Sequence, residues 1–381
     1  MKYVFALFFA LNALVSAMGF AKAYDLATLP QLQPISRPVG LLWLAAAVLY
    51  LTAAVMLTVS WRMWWVPAAA AIVVATIVIV LAWGDAKWGM LANLVILVPV
   101  IIAALAVAPW NFQAQFKRDV ANGLAIPSAA ETTDLVTESD VASMPAPVQR
   151  YLRFAGVVGK PRVANYRVRF RGTLAQKAGA TPMKIDVEQL SFADPSARLF
   201  LVHTSMFGVP AEAYHRYVGD AATFRVKAAS LVNVVDNTGP ALTRAETVTL
   251  FNDMCLIAPA TLLDKRVTWD AVDDTTAVAH FANAGNSIAA TLTFDPQTGA
   301  LDNFVSYDRE RPEDRDLFGL PPSDGLTDRM WWETPISEWG VVDGITLPVR
   351  AVAIWHSRDK QLDYGHFEIV EAEYNVTRYD R

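Results

Sequence analysis

Four stretches near the start of the chain constrain its fold more than anything that follows. Residues 3–21, 39–60, 64–83 and 89–108 carry no charged side chain. Each is about twenty residues, the length a helix needs to cross about 30 Å of hydrocarbon. Six tryptophans (Trp61, Trp64, Trp65, Trp83, Trp88 and Trp110) sit at the ends of these stretches. An amphipathic indole prefers the headgroup layer found there. The pattern predicts a four-span transmembrane region over residues 1–111, with the lipid bilayer as its partner. The first stretch has a second reading, because Met1-Lys2, an apolar run and Ala21-Lys22-Ala23 also fit a signal peptide.

Orientation is not fixed by charge. With the amino terminus inside, the inner segments hold Lys2, Arg62, Lys117 and Arg118, against Lys22, Arg37 and Lys87 outside. A margin of one residue leaves the side of the membrane undecided. Asp85 and Lys87 fall in the turn before the last stretch, as a solvated pair or as a functional one. The small faces Ala45-Ala-Ala47 and 68–71 permit close packing with partner helices.

Past residue 111 the chain changes character. Lys2, Lys22, Arg37, Arg62 and Lys87 against Asp25 and Asp85 give the first part +3. The whole chain is at −5, which leaves −8 for residues 112–381. That acidic balance excludes broad nucleic-acid binding. A single cysteine, Cys255, excludes an intrachain disulfide framework and a Cys-rich metal site.

Residues 112–145 read as a linker, polar at 132–140 and punctuated by Met144-Pro-Ala-Pro147. A soluble domain follows over 146–381. It opens with a short amphipathic helix at 148–154. From Val163 the period becomes two: Tyr166, Val168 and Phe170 alternate with Arg167, Arg169 and Arg171. This predicts a strand with a basic face, suited to phosphate, to acidic headgroups or simply to water. Further strands are expected at 184–192, 198–205, 212–217, 222–227, 231–235, 267–272, 276–282, 287–294 and 301–307. Others follow at 330–339, 341–347, 349–356 and 366–375, with a tight hairpin at Asp343-Gly344. One helix begins in this reading at Thr243-Arg-Ala-Glu246, a capping box, and carries Val248, Phe251, Cys255 and Leu256 inward. The class is α+β, dominated by a large antiparallel sheet.

The chemistry is sparse. The chain has no P-loop, no dinucleotide fingerprint, no H-E-x-x-H and no G-x-S-x-G. No cofactor and no metal are expected, since none of the five histidines is paired at helical ligand spacing. Cys255 lies too far into its helix for dipole activation and reads as a buried hydrophobe. The carboxylates open to acid–base work are Glu246, Asp253, Asp273 and Asp274, and an enzyme would need two of them in one cleft. Arg309 and Arg311, two residues apart in Tyr307-Asp-Arg-Glu-Arg311, project to one side of an extended segment. They suit a phosphate or carboxylate, or their own acidic neighbours. Trp331, Trp332, Trp339 and Trp355 either line an apolar cavity or fill a core.

Several of these segments occur together in a recognisable order. They are Met144-Pro-Ala-Pro-Val-Gln-Arg-Tyr-Leu152 with Gly156, and Glu246 with Pro259-Ala-Thr-Leu-Leu263. Trp269 with Asp273-Asp274, Tyr307-Asp-Arg309-Glu-Arg311, and Gly344-Ile-Thr-Leu-Pro348 with Trp355 continue it. Tyr364-Gly-His-Phe-Glu-Ile369 and Tyr374-Asn375 close it. Over roughly residues 140–376 the chain resembles a bacterial family of uncharacterised proteins, a domain of unknown function that follows amino-terminal membrane helices. That domain is similar in layout to the LolA/LolB-like lipoprotein carriers. The resemblance implies a curved, half-barrel-like sheet with a few covering helices around an apolar cavity, and a place in the bacterial inner membrane. It implies a lipid or acyl-chain ligand and supplies no catalytic residue. The leading expectation is a membrane-anchored module that binds lipid or another hydrophobic ligand, with Phe170, Tyr307, Arg309, Arg311, Trp332 and Trp355 as its ligand-binding residues. The alternatives are an enzyme on a membrane-derived substrate, and a structural or sensory protein with helix partners.

Overall fold

A computed structural model describes residues 2–30, 33–127, 134–175, 179–206, 209–309, 331–357 and 360–379. The chain divides into two compact units, Met1–Asn111 and Phe112–Arg381.

The first unit is helical. Its helices are α1 (Lys2–Ala23), α2 (Arg37–Thr58), α3 (Trp65–Leu81), the single turn α4 (Trp83–Ala86) and α5 (Gly89–Ala106). Three of them, α1, α2 and α5, are long and apolar enough to cross a membrane, and α3 is a shorter apolar helix of 17 residues. The third expected span is therefore the marginal one: Pro67 lies in its first turn, and the helix stops at Leu81 instead of Trp83. The alanine faces are already occupied inside the unit. Ala46, Ala53, Ala68, Ala71 and Ala75 are buried among the helices. A side chain at Gly19 would enter the Trp43 ring, and one at Gly40 would meet Ala23, so these two glycines let α1 and α2 touch. Tyr50 on α2 donates to Asn93 on α5 at 2.5 Å, and Asn93 donates on to Thr76 of α3.

The second unit opens with helices where a linker is expected. Phe112, Phe116 and Val120 recur at helical spacing along α6 (Phe112–Leu124) and pack on Leu199, Leu201 and Tyr214 of the sheet. A capping box at Thr137, with Asp140 reaching back to its amide, starts α7 (Glu138–Ala142). Helix α8 (Ala146–Ala155) buries Val148, Tyr151, Leu152 and Ala155, an i, i+3, i+4, i+7 stripe, and ends at Gly156 in the left-handed region.

The sheet holds fourteen strands. They are β1 (Asn165–Leu174), β2 (Met183–Phe192), β3 (Ala197–Met206), β4 (Val209–Val218), β5 (Ala221–Ala228), β6 (Val232–Thr238) and β7 (Val267–Ala271). Then come β8 (Thr276–Asn283), β9 (Asn286–Phe294), β10 (Leu301–Ser306), β11 (Trp331–Glu333), β12 (Ile336–Val342), β13 (Ile345–Ser357) and β14 (Lys360–Tyr374). Their order is 6-5-4-3-2-1-14-13-11-10-9-8-7, with β12 beside β13, and every pairing is antiparallel. It is a large open sheet and not a closed barrel. The β12–β13 hairpin turns at Asp343-Gly344, both at positive φ, as a two-residue turn between twisted strands requires.

Helix α9 (Pro240–Leu256) and the 3-10 turn Pro259–Leu263 lie against this sheet. The capping box expected at Thr243 is not formed. The helix begins three residues earlier, at Pro240, whose fixed φ suits the first helical position. Thr243 is thus one turn too deep, and its hydroxyl donates to the Gly239 carbonyl instead. Helix α9 is buried nearly all round, polar side chains included, which requires a sheet that wraps around it. Tyr151 and Tyr374 donate to the carbonyls of Cys255 and Ile257, both at 2.6 Å. Groups in the last turn of a helix have no partner within it, so these two bonds anchor its end.

The basic face of β1 is paired with acids. Arg167 pairs with Glu188 at 2.7 Å and with Glu373 at 3.3 Å, Arg169 with Glu371 at 3.3 Å, and Arg171 with Asp186 at 3.6 Å. The acids lie on the two flanking strands, so the face is a cross-strand charge ladder.

Candidate functional site

Between α9 and the inner face of the sheet lies a cavity of about 250 Å3. Alternation along the strands builds most of its wall. Phe170 comes from β1, Ile185 from β2, Phe200 and Val202 from β3, Ala213 from β4, Phe224 and Val226 from β5, and Phe367 and Ile369 from β14. The roof is α9, and its contribution is polar: Glu246, Thr249, Asn252 and Asp253 line the cavity. Spacings of three and four put these residues on one face of the helix.

The polar groups form one connected cluster. Arg198 donates from Nε to Asp253 Oδ2 at 2.6 Å and from Nη1 to Glu246 Oε2 at 3.2 Å. Gln189 donates to the same Asp253 oxygen at 2.7 Å. On the other side of Glu246, His215 Nδ1 lies 3.2 Å from Oε1, and its ring rests on Phe224. Burial works to raise the Glu246 carboxyl, but His215 and Arg198 outweigh it and hold the group down at about 2. Asp253 goes the other way, pushed up by burial in spite of Arg198 and Gln189. Burial opposes the charge on Arg198, and the two carboxylates more than restore it. A buried cation with two carboxylate partners and further hydrogen bonds meets the condition for an ion cluster to persist in an apolar interior.

Arg309 makes no hydrogen bond to this cluster among the described residues, although its charge also helps to lower Glu246. Its guanidinium lies 4.7 Å from the ring centre of Trp332 and 4.9 Å from that of Trp355, neighbours across β11 and β13. Its Nε donates to Thr249 on α9 at 3.2 Å. Trp332 is itself oriented by a 3.0 Å bond from Nε1 to the Tyr364 hydroxyl.

Of the six residues named from the sequence, Phe170, Arg309 and Trp332 line the cavity. Trp355 is buried beneath Arg309 without lining it. Tyr307 is turned away. Phe304 and Ser306 point inward on β10, so the next residue faces out, and Tyr307 is 55% exposed with its ring near Trp331. Arg311 lies outside the described residues. Trp339 packs on Tyr151 and Phe154 of α8 as core.

Of the carboxylates considered for acid–base work, Glu246 and Asp253 meet in the cavity, and Asp273 and Asp274 do not join them. Asp273 bonds its own neighbour Thr275 in the exposed turn after β7, with Asp274 beside it, while Asp253 is inside. The carboxylate that does accompany Asp253 is Glu246, and both are held by Arg198. Sequence reading missed Arg198, Gln189 and His215. Their only trace there is inward phase, shared with Phe200, Val202 and Ala213. Cys255 is fully buried, and burial raises its thiol. Among the described residues no group of three His, Cys, Asp or Glu side chains is placed to hold a metal ion.

Comparison with solved structures finds similarity to two proteins, among others. One is a DUF1329 family protein from Desulfovibrio piger, 11% identical with a TM-score of 0.35, matched over 62% of this chain and 94% of that one. The other is a putative outer membrane lipoprotein-sorting protein domain from Vibrio parahaemolyticus, 6% identical with a TM-score of 0.34, matched over 64% and 94%. No curated protein matches the sequence. One family profile does, over residues 134–367, which takes in α8, α9, the cavity lining except Ile369, and the whole polar cluster. The chain belongs to that family, the family of unknown function DUF6544.

Proposed function

We propose that the protein is a membrane-anchored binding module for a lipid or another hydrophobic ligand. In this reading α1, α2, α3 and α5 make a multi-pass anchor in the bacterial inner membrane, and the sheet domain holds the ligand in the cavity under α9. The observation that carries it is the cavity itself. Its walls are overwhelmingly aliphatic and aromatic, with a few polar groups gathered on one side, the composition expected of a pocket for an apolar molecule. The lead residues are Phe170, Trp332 and Arg309, with Trp355 behind them.

The test uses the full chain in lipid nanodiscs and a photoactivatable single-acyl probe, with crosslinks mapped by mass spectrometry. Labelling is expected at Phe170, Val202 and Phe367. Filling the cavity by Ala213→Phe or Val226→Trp is expected to cut that labelling at least tenfold. Labelling confined to the membrane helices, or unchanged in both folded variants, overturns the reading.

A further inference from the structure

The cavity's four charged side chains divide into two groups with different work. Arg198 is held on both sides, by Glu246 and by Asp253. Arg309 is not. Its one hydrogen bond among the described residues uses Nε, and no carboxylate there lies within ion-pairing distance of it. Its two terminal nitrogens are therefore without a partner among the described residues, at the edge of an apolar cavity that the side chain lines. Trp332 and Trp355 hold the guanidinium in place by lying within 5 Å of it.

Size narrows the class. The cavity, at 250 Å3, falls at or below the small end of ligand pockets, which run from ~300 to 1,000 Å3. That volume has room for one short chain and none for a second. We propose, resting on the cavity reading above, that the ligand is a single-chain amphiphile with an anionic head, and that Arg309 receives the head while the chain lies along Phe170, Val202 and Phe367. Carboxylate and phosphate heads share the required chemistry, two or more acceptor oxygens matched to the guanidinium fork.

The experiment compares three eight-carbon photoprobes that differ only in the head: carboxylate, phosphate monoester and alcohol. Each is titrated against the full chain in nanodiscs of zwitterionic lipid, with crosslinking at cavity residues as the readout. The wild type is expected to take the better anionic probe at least tenfold more tightly than the alcohol. Whichever anion leads identifies the head as fatty-acid-like or lysophospholipid-like. R309Q is expected to abolish the preference while leaving alcohol labelling in place, which also reports that the variant is folded. R309K, which keeps the charge and loses the fork, is expected to fall between. Equal labelling by all three probes in the wild type overturns the head assignment and leaves the cavity reading standing. A preference that survives R309Q assigns the head to other residues and overturns the role of Arg309. No cavity labelling by any probe overturns both readings.

Discussion

Glu246 shows at the residue scale how far a side chain's behaviour departs from its sequence surroundings. A spacing of three residues from Thr243 makes it look like part of a helix cap, yet its partners are Arg198, 48 positions away, and His215 on the next strand. Nothing local announces such partners, because they are chosen by which strands lie under the helix. Its folded carboxyl sits at about 2 against an ordinary 4.5, so its stabilisation is complete above about pH 4.5 and is lost as pH falls toward 2. E246Q is expected to cost on the order of 3 kcal/mol at neutral pH. Asp253 has the opposite sign, since raising its carboxyl makes ionisation a cost to the folded state at neutral pH. D253N is therefore expected to be the milder change. Hydrogen-exchange protection of the β3 and α9 amides in the full chain, followed from pH 7 to pH 3, checks both. Equal losses in the two variants would contradict this ordering.

Among the elements, strands were the most legible. A period of two survives any tertiary context that leaves one face inside, so the runs from 166 to 171 and from 184 to 192 surface as β1 and β2 with small changes at their ends. The helices were read less well, for two different reasons. The segment from 112 to 124 has its apolar residues Phe112, Phe116 and Val120 spaced for a helix, but polar neighbours lower the average and make it look like a connector. Helix α9 has no polar face to contrast with an apolar one, because both sides are buried. Its start was misplaced because Thr243 and Glu246 imitate a cap that Pro240 and Gly239 provide instead. The box that does form is at Thr137, inside the supposed linker. Thr137→Ala is expected to destabilise α7 by about 1 kcal/mol, read as faster exchange of the Asp140 and Val141 amides. Unchanged exchange would mean that α7 is held by its packing alone.

Across the whole molecule, the strand order carries information that no single element holds. Strands β1 to β6 form one meander of neighbours in sequence, and β7 to β10 form another. The two are joined through β14, which pairs with β13 on one side and reaches back to β1 on the other, Tyr374 opposite Tyr166. The hairpin connections close short loops, whereas the β1–β14 seam closes one of about two hundred residues. Loop-closure entropy makes that seam the costliest contact to form and places it late in folding. Mutations there, such as Val168→Ala on β1 or Ala372→Gly on β14, are expected to accelerate unfolding while leaving the refolding rate nearly unchanged. The same substitutions inside the β3–β4 hairpin are expected to slow refolding. Stopped-flow fluorescence of refolding nanodisc-held chains distinguishes the two. Phe170 on β1 and Phe367 on β14 face each other across this seam at 6.1 Å, and both line the cavity. The seam that closes the longest loop is thus also part of the cavity wall. An occupant bridging the two strands acts as a kinetic clasp: it lengthens the native lifetime by slowing the seam's opening, and the rate at which the seam parts sets an upper limit on how fast a bound molecule leaves by that route.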